Sequence, residues 1–134
     1  MDMEITFPGG SRVDASFGSY VVKTDQPSPD GSPGSAPTPF ATFLASIGTC
    51  AGIYVLGFLR QRGLPTENVR LVQRLEANPF TGMVQHIQLD VHLPPEVPQK
   101  YHSAIVRAAE LCAVKKHFVQ PPEISVSARE IVPA

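Results

Sequence analysis

Between Phe40 and Leu59 lie twenty consecutive residues without a charge, and this run limits the folds open to the chain. Pro39 suits the first turn of a helix, with Thr38 as the cap before it. Gly63 suits the position just past the end. Arg60 and Arg62 stand where cations complement the helix dipole, and Pro65 blocks continuation. The spacing predicts a helix from Pro39 to Arg62. Its apolar residues, among them Phe40, Phe43, Ile47, Ile53, Tyr54, Val55 and Leu59, go all the way round. Such a helix must be buried on every side, in lipid or inside protein. Its length would span a hydrocarbon core, with Arg60 and Arg62 as a cytoplasmic flank. Its middle, Ser46-Ile47-Gly48-Thr49-Cys50-Ala51-Gly52, is small and semi-polar, and the flanking strands need a helix to cover. The reading taken is therefore a core helix and not a membrane span. The small residues imply close backbone approach by another element. A 134-residue monomer would struggle to bury such a helix alone, whereas a dimer would not.

Short runs between Ile5 and Thr24, broken at Pro8-Gly9-Gly10 and Gly18-Ser19, predict two or three antiparallel strands. Residues 26–39 hold five prolines and two glycines and nothing to bury, which makes them loop. Val69–Glu76 and His86–Leu93 alternate about a turn at Asn78–Gly82. They predict a hairpin with one solvated face, Ile87, Leu89, Val91 and Leu93 pointing in. Pro98–Val114 predicts a second helix with Tyr101, Ile105, Ala108 and Cys112 on one apolar stripe. After Pro121-Pro122, the alternation of Ile124, Val126 and Ala128 predicts a last strand. The fold class is α+β, with residues 1–134 as one domain.

Eleven basic residues against twelve acidic ones, without a basic cluster, exclude a nucleic-acid footprint. The acidic start, Met1-Asp2-Met3-Glu4, lacks a signal peptide's basic region and apolar core, so a cytoplasmic location is expected. Cys50 and Cys112 are then reduced thiols, 62 positions apart and neither a CxxC pair nor a paired-ligand zinc site. They read either as small core residues or as a dithiol that reduces an oxidant through a sulfenic acid and a disulfide. The second reading needs a cation beside Cys50, because a mid-helix thiol gains nothing from its own helix N-terminus. Arg12, Lys115, Lys116 and His117 are the candidates. His86, His92, His102 and His117 lack metal-ligand spacing, and no GxSxG elbow exists for a serine nucleophile.

Four segments resemble the OsmC and organic-hydroperoxide-resistance family. They are the loop ending Ala36-Pro37-Thr38-Pro39, the cysteine helix Phe43–Cys50, Arg62-Gly63-Leu64-Pro65 before a hairpin, and Ala109–His117 around the second cysteine. The resemblance implies an intertwined homodimer, its two central helices wrapped by antiparallel sheets from both chains. It implies thiol peroxidase chemistry on organic hydroperoxides, with Cys50 peroxidatic, Cys112 resolving and Arg12 approaching the reactive thiol. The implied reductant is a lipoylated protein or another dithiol, and no bound cofactor or metal is expected. The chain departs from the family at Phe40, where the peroxidases carry a glutamate that pairs with the arginine. It also departs at Ala113, where the family has a proline. Phe40 favours an alternative, a non-catalytic dimer that binds a small apolar ligand or senses redox state.

Overall fold

The computed structural model describes residues 1–133, so Ala134 of the expected domain lies outside the described residues. Its first unit is an antiparallel meander of β1 (Glu4–Gly9), β2 (Arg12–Phe17) and β3 (Tyr20–Thr24). Gly10 and Gly18 turn the chain with φ of +57° and +56°, backbone that L side chains rarely adopt. The loop that follows has its own order. One carboxylate, that of Asp25, accepts from the N–H groups of Gln26 and Ser35 and from the Ser35 hydroxyl.

Helix α1 runs Pro39–Gln61. Its ends are where local chemistry puts them. The Thr38 hydroxyl accepts from the Ala41 N–H at 3.1 Å, and Gly63 leaves the helix with φ +62°. Thr42, Ser46 and Thr49 donate their hydroxyls back to carbonyls three or four residues earlier, so the semi-polar middle is satisfied within the helix. Strands β4 (Arg70–Ala77) and β5 (Val84–His92) form the expected hairpin, with Leu71 opposite Val91 and Gln73 opposite Leu89. Leu75 of β4 is 44% exposed. At Gly48 the close approach to α1 comes from this hairpin. The Gln73 side-chain amide donates to the Leu44 carbonyl at 3.0 Å, and a Cβ on Gly48 would stand 2.7 Å from its oxygen.

A 3-10 turn at Gln99–Tyr101 leads into α2 (His102–Glu110), and α3 (Ala113–Val119) follows. The core gathers Val55 and Leu59 of α1 with Val97 and Ile105, and Leu71, Val91 and Tyr101 pack around them.

Two expectations are corrected. The predicted helix over 98–114 is broken. Leu111 ends α2, and Cys112 turns extended, with ψ 134°, before α3 begins. The predicted strand at Ile124–Ala128 does not form: the segment pairs with no edge of either sheet, and Val126 is left 93% exposed. Within this single chain, α1 buries one face. Its buried residues Ile47, Ala51, Val55 and Leu59 make one stripe at four-residue spacing. The hairpin, α2 and α3 cover that stripe, while the β1–β3 sheet packs only marginally on the rest of its own chain. Phe40, Phe43, Ile53 and Tyr54 stay exposed. The helix is long and apolar enough to cross a membrane by length and composition.

Candidate functional site

Cys50 and Cys112 meet where the middle of α1 passes the break between α2 and α3. Cys112 is the residue before α3, and its Sγ accepts from the Lys115 N–H at 3.3 Å, a sulfur serving as helix cap. The first N–H groups of a helix have no acceptor inside it, and the ladder of α3 starts only with Lys116 donating to the Cys112 carbonyl. Ala113 and Val114 therefore have N–H donors to spare at the N-terminal end of α3 beside Cys50. The Val114 N–H, joined by the Cys112 thiol and the Ala113 N–H, holds the Cys50 thiol below its usual 9.0, while burial acts the other way. So Cys50 is served by a helix N-terminus after all, that of α3, which a continuous second helix could not have provided. A sequence signal existed. The proline that the family carries at position 113 marks a first helical turn, and the alanine here keeps an N–H that proline lacks.

The two sulfurs differ in access. Cys112 is 2% exposed, whereas Cys50 is partly open. Cys112 also lines a cleft of about 770 Å³ between α1, the hairpin and α3. The cleft is apolar for most of its wall, with Ile47, Ala51, Ile87 and Leu89 deep in it and Phe40, Phe43 and Phe118 at its rim. The three rim rings stand in a row, with centroids 5.8 Å apart in each successive pair. Phe40 thus packs on its neighbours where the family has an acid, a role that position alone did not reveal.

Arg12 lies elsewhere in the chain. Its guanidinium pairs with Asp14 at 3.1 Å on β2, and the groups acting on Cys50 within one chain do not include it. Among the other cations, His117 bonds back to the Ala113 carbonyl at 2.6 Å and Lys115 lines the cleft. No three His, Cys, Asp or Glu side chains among the described residues gather as metal ligands.

A long apolar helix carrying one thiol, a broken helix pair carrying the other, and antiparallel sheets around them define a two-cysteine α+β class. The chain belongs to the OsmC-like protein family, whose model matches residues 31–127. Among solved structures, the chain is similar to a Psychrobacter arcticus 273-4 protein named for the osmotic-stress and detoxification response. That pair shares 17% identity and a TM-score of 0.69, over 85% of each chain. An OsmC-like protein from Mycoplasma pneumoniae gives 12% identity and a TM-score of 0.61, over 90% of this chain and 86% of that one. An organic hydroperoxide resistance protein from Legionella pneumophila gives 22% and 0.50, over 88% and 89%. At these identities the likeness is one of fold. No curated protein matches the sequence.

Proposed function

We propose that the protein is a cytoplasmic thiol peroxidase that reduces organic hydroperoxides. The carrying observation is that the Cys50 thiol, set beside the Cys112 thiol and the start of α3, is held below its ordinary pKa. Cys50, the more open thiol and one held below its ordinary pKa, attacks the terminal oxygen of ROOH as thiolate. The O–O bond breaks, Cys50 becomes a sulfenic acid, and the alkoxide takes a proton to leave as ROH. The Cys112 thiol then attacks the Cys50 sulfur, forming a disulfide and releasing water. An external dithiol or lipoyl-type carrier, on its own or on a partner protein, returns both thiols by exchange. The apolar cleft beside Cys112 suits the R group of an alkyl or aryl peroxide.

The working unit proposed is a homodimer. The bare face of α1, the β1–β3 sheet standing off its own chain and the unpaired Ile124–Ala128 segment are all accounted for if a second copy supplies their partners. In that dimer Arg12 reaches the thiol of the other copy. Neither nucleic acid nor a membrane is a partner in this reading.

A free-thiol count on reduced protein, before and after one equivalent of cumene hydroperoxide, tests the proposal. Fast loss of both thiols, reversed by a dithiol, supports it. Thiols untouched over many minutes overturn it. The latter outcome favours the second reading, a non-catalytic dimer holding an apolar ligand in the cleft, for which the phenyl-lined rim is the favouring observation.

A further inference from the structure

Asp14 is the one charged side chain buried among the described residues, at 8% exposure. It sits in the middle of β2 between Thr6 of β1 and Lys23 of β3. Two residues earlier on the same face, Arg12 donates through Nη2 to both carboxylate oxygens, at 3.1 Å and 3.4 Å. Its other guanidinium nitrogens, Nε and Nη1, donate to no acceptor among the described residues. Opposite Arg12 stands Gly9, with no side chain to cover the guanidinium. The third neighbour is Asp25, the residue after Thr24 at the end of β3. Its oxygens are already taken by Ser35 and Gln26. A cation is therefore gripped along one edge by a desolvated carboxylate while its other donors face open space.

Buried ion pairs are poor stabilising devices, because desolvation of both charges offsets most of their attraction. What such a pair does well is hold geometry, since a carboxylate taken out of water cannot release its cation cheaply. Phe40 makes this arrangement matter, because no acid stands at the start of α1 to hold an arginine. We infer that Asp14 is the positioning residue for Arg12, its buried carboxylate fixing the guanidinium so that the unused N–H donors meet the Cys50 thiolate across the dimer. The inference rests on the peroxidase reading for its purpose. Both residues precede the stretch matched by the family model, so membership alone does not assign them.

The test reads Cys50 directly, by alkylation with iodoacetamide across a pH series and peptide mass spectrometry. Arg12→Gln is expected to raise the midpoint of Cys50 alkylation by about one pH unit. Asp14→Asn is expected to raise it similarly, and the double variant no further than Arg12→Gln alone. The sign is decisive, because deleting a negative charge with no positioning role would lower the midpoint instead. A midpoint unchanged or lowered in Asp14→Asn overturns the inference, as does one unmoved in Arg12→Gln. If Asp14→Asn does not fold, Asp14→Glu keeps the charge and displaces the carboxylate by one methylene. A raised midpoint then supports positioning, and an unchanged one overturns it. Peroxide turnover, measured on the same proteins, separates the two claims. Wild type that ignores cumene hydroperoxide sinks the peroxidase reading, while the alkylation midpoints still decide what Asp14 does.

Discussion

Cys50, in the middle of α1, takes the largest influence lowering its thiol pKa from the backbone N–H of Val114, in the first turn of α3. A thiol 64 positions away in sequence thus takes its electrostatics from another helix's N-terminus. Cys50 is expected to react with iodoacetamide below the usual thiol range, and Cys112→Ala to slow it at neutral pH by removing one donor. Folded Cys50 ionises at lower pH than unfolded Cys50. Its contribution to stability is therefore complete above the unfolded thiol pKa and is lost as pH falls through the folded value. Denaturant midpoints of wild type and Cys50→Ser, compared from about pH 6 to about pH 9, should diverge in favour of wild type as pH rises.

Gly48 and Gln73 make a second test. An alanine at 48 gains about 1 kcal/mol of helix propensity but displaces the Gln73 amide from the Leu44 carbonyl, a loss of about the same size. Gly48→Ala should be close to neutral in wild type. In a Gln73→Ala background it should stabilise by about 1 kcal/mol, measured by chemical denaturation.

Ile105, fully buried in the core, and Val106, half-exposed beside the cleft, are adjacent in sequence. Ile105→Ala should cost roughly 2–5 kcal/mol through the cavity it leaves. Val106→Ala should cost less than about 1 kcal/mol, read from the same denaturation curves.

Phe40 is 55% exposed and stacks on Phe43. With Arg12 already gripped by Asp14, Phe40→Glu is expected to change peroxide turnover little, in a steady-state assay with cumene hydroperoxide. A large gain would mean that the natural chain had given up the activity, and would favour the ligand-binding reading.

The proline-rich loop should loosen in acid. Hydrogen bonds from Ser35, first through its hydroxyl and then its N–H, hold Asp25 below the usual 3.8, and Ser32 does the same for Asp30. Depressed carboxylates contribute order that is present above their unfolded pKa and lost as pH falls through the folded one. Limited proteolysis at an acid-active site within residues 26–36 should accelerate below about pH 4, and Ser35→Ala should move the onset to higher pH.

What was legible in the sequence was whatever is decided within one turn or one strand. Thr38, Pro39 and Gly63 mark the ends of α1 because capping and positive φ act on neighbours. Alternation placed Ile87, Leu89 and Val91 because residues two apart on a strand share one face. The pairing of β4 with β5 followed from a five-residue turn. The rest depends on contacts between segments far apart, which no local period encodes. Ile124–Ala128 alternates like a strand but lies unpaired, because alternation names a face and cannot supply a neighbouring edge. The stripe through Cys112 continued on paper where the chain turns out of the helix. That turn, set by packing of α2 and α3 on α1, is what frees the N–H groups of Ala113 and Val114. Sequence named the two cysteines, and tertiary structure lowered the pKa of Cys50 by setting it beside the start of α3.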